Sequence, residues 1–378
     1  MRTPPRRRNT ALGRIPAALA MVAVLVIGVP LASSERNVGA RSAGRPPNII
    51  VILTDDLDVA LWRSLPLSGE IGGHDFVNAF VTSPLCCPSK ASTLTGLYAH
   101  NHRVWATEPP QGGLYAALRS GMQDSTLPVW LQDAGYRTGF MGRYLVGYGW
   151  RDSPPSYVPP GWDTWIGRVS NTAHGYRNIE FSFDGQVRRL RGNESTHFLP
   201  QARDFIRRAG DQPYFLLLAP MAPHAPWGGA RYPGDPARRP GIMRPIEHLV
   251  RQLLADMDGS TYLFFTSDNG YHLGPHPGKA TPADTDTRVP LSVVGPDVVE
   301  GMDEHFALNI DLAPTIAELA GVAPPTPVDG VSLVPLLRGL DPPWRDRFTV
   351  ELLPFTAVRS ADQIEIHWAD GRTERRAP

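Results

Sequence analysis

Apolar runs of strand length alternate with amphipathic segments of helix length along most of the chain. Nearly continuous apolar runs predict buried strands at 48–53, 137–141, 214–219 and 262–266. Helical spacing of apolar residues, with capping residues at the ends, predicts helices at 125–134, 195–209, 245–257 and 311–320. This alternation predicts an α/β fold, with a mainly parallel central sheet and helices on both of its faces.

Two stretches lie outside this alternation. The tail at 348–366 alternates apolar and polar residues, which predicts a small C-terminal antiparallel sheet. Residues 1–34 combine five arginines in the first 14 positions with an uncharged, mostly apolar run that ends in small residues. This pattern predicts a secretory signal peptide, with a retained N-terminal membrane anchor as the alternative. Residues 35–47 are then a polar linker.

Composition narrows the class of protein. The charges balance, with 37 basic and 37 acidic residues, which argues against a nucleic-acid binder. The cysteines, Cys86 and Cys87, are adjacent, so a disulfide framework is excluded. Among the 37 basic residues only Lys90 and Lys279 are lysines. In a chain that otherwise uses arginine, these two are expected where an ammonium does something that a guanidinium cannot.

Polar side chains follow each of the four predicted strands. They are Asp55 and Asp56, Arg143, His224, and Asp268 with Asn269. Because the carboxyl ends of parallel strands meet at one edge of a sheet, we expect these side chains to form one site. Converging carboxylates need a cation, and an all-oxygen ligand set favours Ca²⁺, with Mg²⁺ as the alternative. Taken singly, each aspartate has a simpler interpretation as a helix cap or turn residue.

A second group of reactive residues lies at 85–96. Pro88 and Ser89 are suited to open a helix that runs through Leu94, which would put Cys86 at the positive end of the helix dipole. An anion would be favoured there, with Lys90 one turn further on. The alternative is a pair of buried structural cysteines. Four histidines, His100, His102, His272 and His276, are candidates to line a substrate pocket, but the favoured interpretation of each is a solvated loop residue.

These residues match a known family. The run Cys86-Cys87-Pro88-Ser89-Lys90, followed by Leu94-Thr95-Gly96, resembles the C-x-P-S-R signature of the type I, formylglycine-dependent sulfatases of the alkaline phosphatase superfamily. Further segments that resemble the family in the same order are 48–56, 142–145, 222–227, 265–274, 278–290, 309–315 and 329–337. The variants at 142–145 and 267–272 resemble the N-acetylglucosamine-6-sulfatase subgroup.

The resemblance implies a sulfatase domain at 48–340 and a truncated C-terminal subdomain at 341–378. It implies hydrolysis of sulfate esters, on a sulfated sugar or glycosaminoglycan, by a secreted or cell-envelope enzyme. The implied catalytic residues are Cys86, Lys90, Arg143, His224 and Lys279. The implied metal ligands, for Ca²⁺, are Asp55, Asp56, Cys86, Asp268 and Asn269. The family also implies that a formylglycine-generating enzyme oxidises Cys86 to formylglycine, whose hydrate attacks the sulfur atom.

The chain departs from the family pattern at several positions. Lys90 replaces the signature arginine, Arg143 replaces a lysine, and the loop at 274–278 is short. These departures keep two other hypotheses open. One is a phosphoester or phosphonate hydrolase of the same superfamily, and the other is a secreted pseudo-sulfatase that binds sulfated glycans without turnover.

If residues 1–34 are a secretory signal peptide, export should remove them. N-terminal sequencing of secreted protein should find a mature start between residues 33 and 47, where the small residues and the polar linker lie. Recovery of the intact arginine-rich start from a membrane fraction would contradict a cleaved signal and establish the anchor.

Overall fold

The computed structural model describes residues 45–169, 175–227 and 234–378. The predicted signal segment at 1–34 and most of the predicted linker lie outside the described residues. Within those residues, no helix combines the length and the apolarity needed to cross a bilayer.

The described residues form a large sheet, a two-stranded pair and a small C-terminal sheet. In chain order the strands are β1 Asn48–Thr54, β2 His74–Phe76, β3 Ala79–Phe80, β4 Arg137–Gly142, β5 Thr164–Arg168, β6 Glu180–Phe183, β7 Gln186–Arg189, β8 Tyr214–Ala219, β9 Thr261–Ser267, β10 Leu291–Val294, β11 Gly301–Asp303, β12 Ala307–Leu308, β13 Arg347–Leu352, β14 Phe355–Ser360, β15 Ile364–Trp368 and β16 Thr373–Arg376.

The large sheet has ten strands in the order β11-β2-β10-β9-β1-β8-β4-β5-β6-β7. Its centre, from β9 to β5, is parallel, and antiparallel strands flank this centre on both sides. The four predicted strands are the adjacent strands β9, β1, β8 and β4. The carboxyl ends of these four strands therefore meet at one edge, as the sequence predicted.

Helices cover both faces of this sheet. In chain order the α-helices are α1 Val59–Ser64, α2 Leu67–Glu70, α3 Cys86–Thr95, α4 Ala99–His102, α5 Gly113–Ser120, α6 Leu127–Asp133, α7 Phe198–Ala209, α8 Arg239–Asp256, α9 Asp284–Thr287, α10 Leu312–Ala320 and α11 Val334–Leu337.

The pleat of β1 divides the core into two layers. Ile49 and Val51 face a cluster that includes α3, α5, α6, α10 and α11. Ile50 and Ile52 face the opposite cluster, to which α1, α7 and α8 contribute. The strand is buried on both faces, which explains why its sequence is an apolar run rather than an alternation. The predicted α/β class and helices on both faces are confirmed.

Several helix boundaries differ from the prediction by one or two residues, and two helices differ by more. A 3-10 turn, Glu194–His197, forms the first part of the helix predicted at 195–209, and α7 follows it. Helix α8 begins six residues before the predicted start at 245 and carries Pro245 inside it. The predicted start at Pro245 rested on the helical spacing of the apolar residues from Ile246 onward.

The C-terminal strands form a separate antiparallel sheet, β13-β14-β15-β16. Its apolar face packs on Phe80 and Phe306 of the main body. A buried ion pair joins the segment before β13 to Asp311, which directly precedes α10. Arg345 makes two contacts with the Asp311 carboxylate, at 2.7 and 2.8 Å. Asp311 also accepts hydrogen bonds from the backbone N–H groups of Leu308 and Val331.

The pair between Arg345 and Asp311 should matter for stability. Arg345→Met leaves a fully buried carboxylate without its cation, so we expect the free energy of unfolding to fall by about 3 kcal/mol. Urea denaturation measures this change. Arg347→Met is the matched control, because Arg347 pairs with Asp346 in solvent, and it should change stability by less than about 0.5 kcal/mol. Equal effects of the two substitutions would contradict the assignment.

Candidate active site

The predicted site residues converge at the carboxyl edge of the large sheet. Asp55 and Asp56 follow β1, Arg143 follows β4, and Asp268 follows β9. His224 lies beyond the end of β8, in a loop whose Pro223 bridges to Asp55. Lys279 reaches the same point from the loop before α9. The three carboxylates are completely buried.

Local backbone geometry holds the strand ends together. Asp56 has a φ of 69°, a left-handed conformation that aspartate tolerates better than most residues. Its N–H donates to Asp268 Oδ1 at 3.2 Å, which links the ends of β1 and β9. Gly142, before Arg143, has a φ of 133°, and a Cβ there would lie 2.0 Å from the carbonyl oxygen of Ala219. Glycine is therefore required at the turn that delivers Arg143.

The two cysteines point in opposite directions. Cys86 is the first residue of α3, and its Sγ lies 3.7 Å from Asp55 Oδ1 and 2.7 Å from Lys279 Nζ. Cys87 instead belongs to the core, where its Sγ accepts a hydrogen bond from the N–H of Val146 at 3.3 Å. The helix start therefore presents Cys86, and not Cys87, to the site.

The unmodified Cys86 side chain is a neutral thiol. Burial, and then the charge of Asp55, raise its pKa to about 12, although Lys279 opposes this. The expectation of an anion at residue 86, based on the helix dipole, is therefore wrong for the thiol. The dipole is worth at most about 2 kcal/mol, which is less than the effect of burial and a neighbouring carboxylate.

Three cationic side chains balance the three carboxylates. Lys90 Nζ contacts Asp55 Oδ2 at 2.8 Å and also contacts Asp268 Oδ2. Arg143 Nη1 lies 3.1 Å from Asp55 Oδ2, and Lys279 Nζ contacts Asp56 Oδ1. Both lysines of the chain therefore lie in this cluster, as their scarcity suggested.

These cations set the ionisation of the cluster. Burial would raise the pKa of Asp55, but its cationic neighbours, Lys90 foremost, hold it well below the ordinary value. Burial, and then the charge of Asp55, raise the pKa of Asp268 to about 6, so this group is still ionised at neutral pH. Burial opposes the charge of Lys90, but Asp268 and Asp55 outweigh it and raise the pKa of the ammonium.

His224 is neutral in this setting. Burial lowers its pKa to about 4, although Asp56 opposes the shift. Its Nδ1 contacts the carbonyl oxygen of Ala225 and so carries the proton. The other nitrogen, Nε2, then has a lone pair and faces Asp56 Oδ2 at 3.7 Å. Two acceptors that face each other at this distance need a donor or a cation between them.

The donor set of the cluster fits a divalent cation. Asp56 Oδ2 and Asn269 Oδ1 are buried acceptors without a hydrogen-bond partner. Ligand atoms of Asp55, Asp56, Cys86 and His224 lie within 4.8 Å of one another. An unsatisfied buried acceptor costs about 1–3 kcal/mol, and a cation would remove that cost. This grouping includes His224, which was predicted as a catalytic residue and not as a metal ligand. It does not include the predicted ligand Asp268, whose Oδ2 contacts Lys90.

Two residues that the sequence analysis missed support the site. Arg239, at the start of α8, donates to the carbonyl oxygen of Asp56 at 2.7 Å and pairs with Asp58 at 2.7 Å. The Tyr176 hydroxyl donates to the carbonyl oxygen of His224. Neither residue lies at a predicted strand end, and α8 begins earlier than predicted, so no sequence signal marked them.

The chain belongs to the sulfatase family. The family profile named Sulfatase matches residues 47–322, and the profile of the N-sulphoglucosamine sulphohydrolase C-terminal region matches 280–369. Human N-acetylglucosamine-6-sulfatase is 31% identical, over 92% of this chain and 74% of the human protein. A Drosophila melanogaster protein, "Extracellular sulfatase SULF-1 homolog", is 32% identical over 81% of this chain. This chain spans only 33% of that relative's length.

A solved structure has the same fold. It is that of a protein in complex with its substrate, D-glucosamine-2-N,6-O-disulfate, and it superposes with a TM-score of 0.72 at 18% identity. The match covers 88% of this chain and 91% of the other. The predicted family and the predicted fold are therefore confirmed.

The interpretation of His102 as a solvated loop residue is wrong. His102 is only 2% exposed, its Nδ1 accepts from the N–H of Val104 at 3.1 Å, and its Nε2 lies 3.0 Å from Ser92 Oγ. Burial lowers its pKa to about 3. His102 is therefore a structural residue behind α3.

The lowered pKa of the buried His102 should make the free energy of unfolding depend on pH. Below about pH 6.5 an unfolded chain protonates this histidine while the folded chain does not. Stability should therefore fall with acidification, by about 1.4 kcal/mol for each pH unit below 6.5 from this residue alone. Urea denaturation between pH 6.5 and 5 should show a shallower slope for His102→Gln. The exposed His367→Gln is the control and should keep the slope. An unchanged slope in His102→Gln would contradict the assignment.

Proposed function

We propose that this protein is a secreted or cell-envelope sulfatase that hydrolyses the sulfate ester of a sulfated sugar. The observation that carries the proposal is the position of Cys86. It is the first residue of a helix whose terminus points at the carboxylate and lysine cluster, and the adjacent cysteine is turned into the core. Of the two cysteines, only Cys86 contacts the charged cluster.

The cluster supports a divalent ion as the resident cofactor. Asp55, Asp56, Asp268 and Asn269 would hold it, with residue 86 alongside, and their all-oxygen chemistry favours Ca²⁺ over Zn²⁺. When bound, the ion supplies Lewis-acid polarisation of a sulfate oxygen. Ca²⁺, rather than Mg²⁺, remains the favoured ion because a set of several carboxylates and an amide suits its larger coordination shell.

Cys86 would become formylglycine through a formylglycine-generating enzyme, which uses dioxygen as the oxidant and removes the thiol sulfur. The hydrated aldehyde offers two hydroxyl groups on one carbon. One attacks the sulfur atom and releases the alcohol of the substrate, and ionisation of the other then expels sulfate and restores the aldehyde. Asp55 Oδ1 lies 3.7 Å from the sulfur atom of Cys86, so its carboxylate is in place to accept the proton of the attacking hydroxyl.

The cationic side chains would bind the sulfate and protonate the leaving group. Arg143 and Lys279 are the positive groups with the greatest exposure in the cluster, 16% and 14% of the side chain, so a sulfate that enters from solvent meets them first. Lys279 lies 2.7 Å from Cys86 Sγ and remains protonated, so it can donate to the leaving oxygen. His224, neutral at pH 7, is better suited to accept a hydrogen bond than to donate a proton through Nε2.

The relatives point to the substrate and the location. The human relative is named as an N-acetylglucosamine-6-sulfatase, and the structural neighbour binds a sulfated glucosamine. We therefore assign a 6-sulfated amino sugar, free or within a glycosaminoglycan, as the substrate. The Drosophila relative is named as extracellular, which agrees with a signal peptide at 1–34.

We place the catalytic domain at 48–340 and a small subdomain at 341–378.

The two cysteines give a matched test of this proposal. Co-expression with a formylglycine-generating enzyme should convert Cys86 and leave Cys87 a thiol, as mass spectrometry of the peptide would show. Cys86→Ala should abolish sulfatase activity, because no diol can form. Cys87→Ala has the same size change one residue away and should keep activity, with a stability loss of about 1–2 kcal/mol from the core.

Two outcomes would contradict the proposal. Sulfatase activity in protein whose Cys86 is wholly thiol would exclude the formylglycine mechanism. A fully converted protein that binds sulfated sugars without turnover would favour the pseudo-sulfatase.

A further inference from the structure

Lys90 contacts two of the carboxylates that the proposed cofactor needs. Its ammonium lies 2.8 Å from Asp55 Oδ2 and also contacts Asp268 Oδ2, and its side chain is only 4% exposed. We infer that Lys90 is an internal counterion of the metal-free protein, and that a divalent cation binds by displacing this ammonium from the two carboxylates. This inference rests on the proposed function, because it concerns the same metal site.

Some oxygen atoms of the cluster contact a lysine ammonium, and others have no partner. Lys90 contacts Asp55 Oδ2 and Asp268 Oδ2, and Lys279 contacts Asp56 Oδ1. Asp56 Oδ2 and Asn269 Oδ1 are the buried acceptors that remain without a partner. These two atoms are open to an incoming cation. Asp268 Oδ2, and Asp55 Oδ2, which Arg143 also contacts, become available only when Lys90 releases them.

Lysine is suited to this role. Its charge is compact and sits on a flexible stem, so the ammonium can move away from one carboxylate without leaving the cluster. Arg143 already contacts Asp55 Oδ2 at 3.1 Å, so Asp55 does not lose all its positive neighbours when Lys90 moves. Lys90 also keeps the buried carboxylates compensated before any metal arrives, which permits the chain to fold without metal.

This competition lowers the affinity for metal. Removal of the ammonium frees Asp268 Oδ2, leaves Asp55 Oδ2 in contact with Arg143 alone, and makes the site more negative by one charge. Lys90→Met keeps the length of the side chain without its charge. We expect it to bind Ca²⁺ at least tenfold more tightly than the wild type, which corresponds to about 1.4 kcal/mol. Lys90→Arg keeps the charge on a stiffer, forked group, so it should not reproduce the tighter binding of Lys90→Met.

Isothermal titration of Ca²⁺ and Mg²⁺ into metal-free protein measures the affinities. Cys87→Ala is the packing control, because it alters the same helix without touching a ligand, and it should match the wild type. Unchanged affinity in Lys90→Met, with measurable binding in both proteins, would overturn the inference. A Lys90→Met protein that folds only when Ca²⁺ is present would support it. No binding in any variant would instead refute the metal in the proposed function.

A second measurement uses the folded wild-type chain. Because the chain has only two lysines, selective ¹³Cε-lysine labelling gives two side-chain signals, which Lys90→Arg assigns. Saturation with Ca²⁺ should shift the Lys90 signal, since the ammonium leaves its carboxylates. Calcium binding, shown by calorimetry, with the Lys90 signal unmoved would overturn the displacement of Lys90 while leaving the metal site intact.

Discussion

Three buried carboxylates at the ends of two neighbouring strands are the constraint on which the site depends. Burial of an ion costs several kcal/mol even after relaxation, so carboxylates persist in such a place only when cations compensate them. Here Lys90, Arg143 and Lys279 provide this compensation. The charges balance, but Asp56 Oδ2 and Asn269 Oδ1 are buried acceptors without a hydrogen-bond partner, and the proposed metal would provide one.

The fold determines which groups meet. Adjacent parallel strands β9, β1, β8 and β4 bring residues that are far apart in the sequence to one edge of the sheet. Helix α3 then begins at that edge, so the register of its first turn decides which cysteine faces the cluster. A shift by one residue would turn Cys87 to the cluster and Cys86 into the core. The packing of α3 on the sheet therefore determines which side chain faces the carboxylates.

The sequence predicted the parts of this arrangement that have strong local signals. The strands before Asp55 and Asp268 are buried on both faces, so their continuous apolar runs predicted their positions. Because sites in open α/β sheets form at the carboxyl ends of the strands, these positions also predicted where the site lies. The pairing of Lys90 with Asp55 and Asp268 was not readable, because it depends on the depth at which α3 packs. The burial of His102 and the contact of Arg239 with Asp56 were missed because each depends on tertiary packing that leaves no local sequence signal.

We propose that this cluster hydrolyses sulfate esters. A comparison of 4-nitrophenyl sulfate with 4-nitrophenyl phosphate tests this, on one preparation whose conversion at residue 86 is known, with Ca²⁺ present. We expect kcat/KM for the sulfate to exceed that for the phosphate and to rise in proportion to the converted fraction. A preference for the phosphate, or a rate on the sulfate that is independent of conversion, would contradict it.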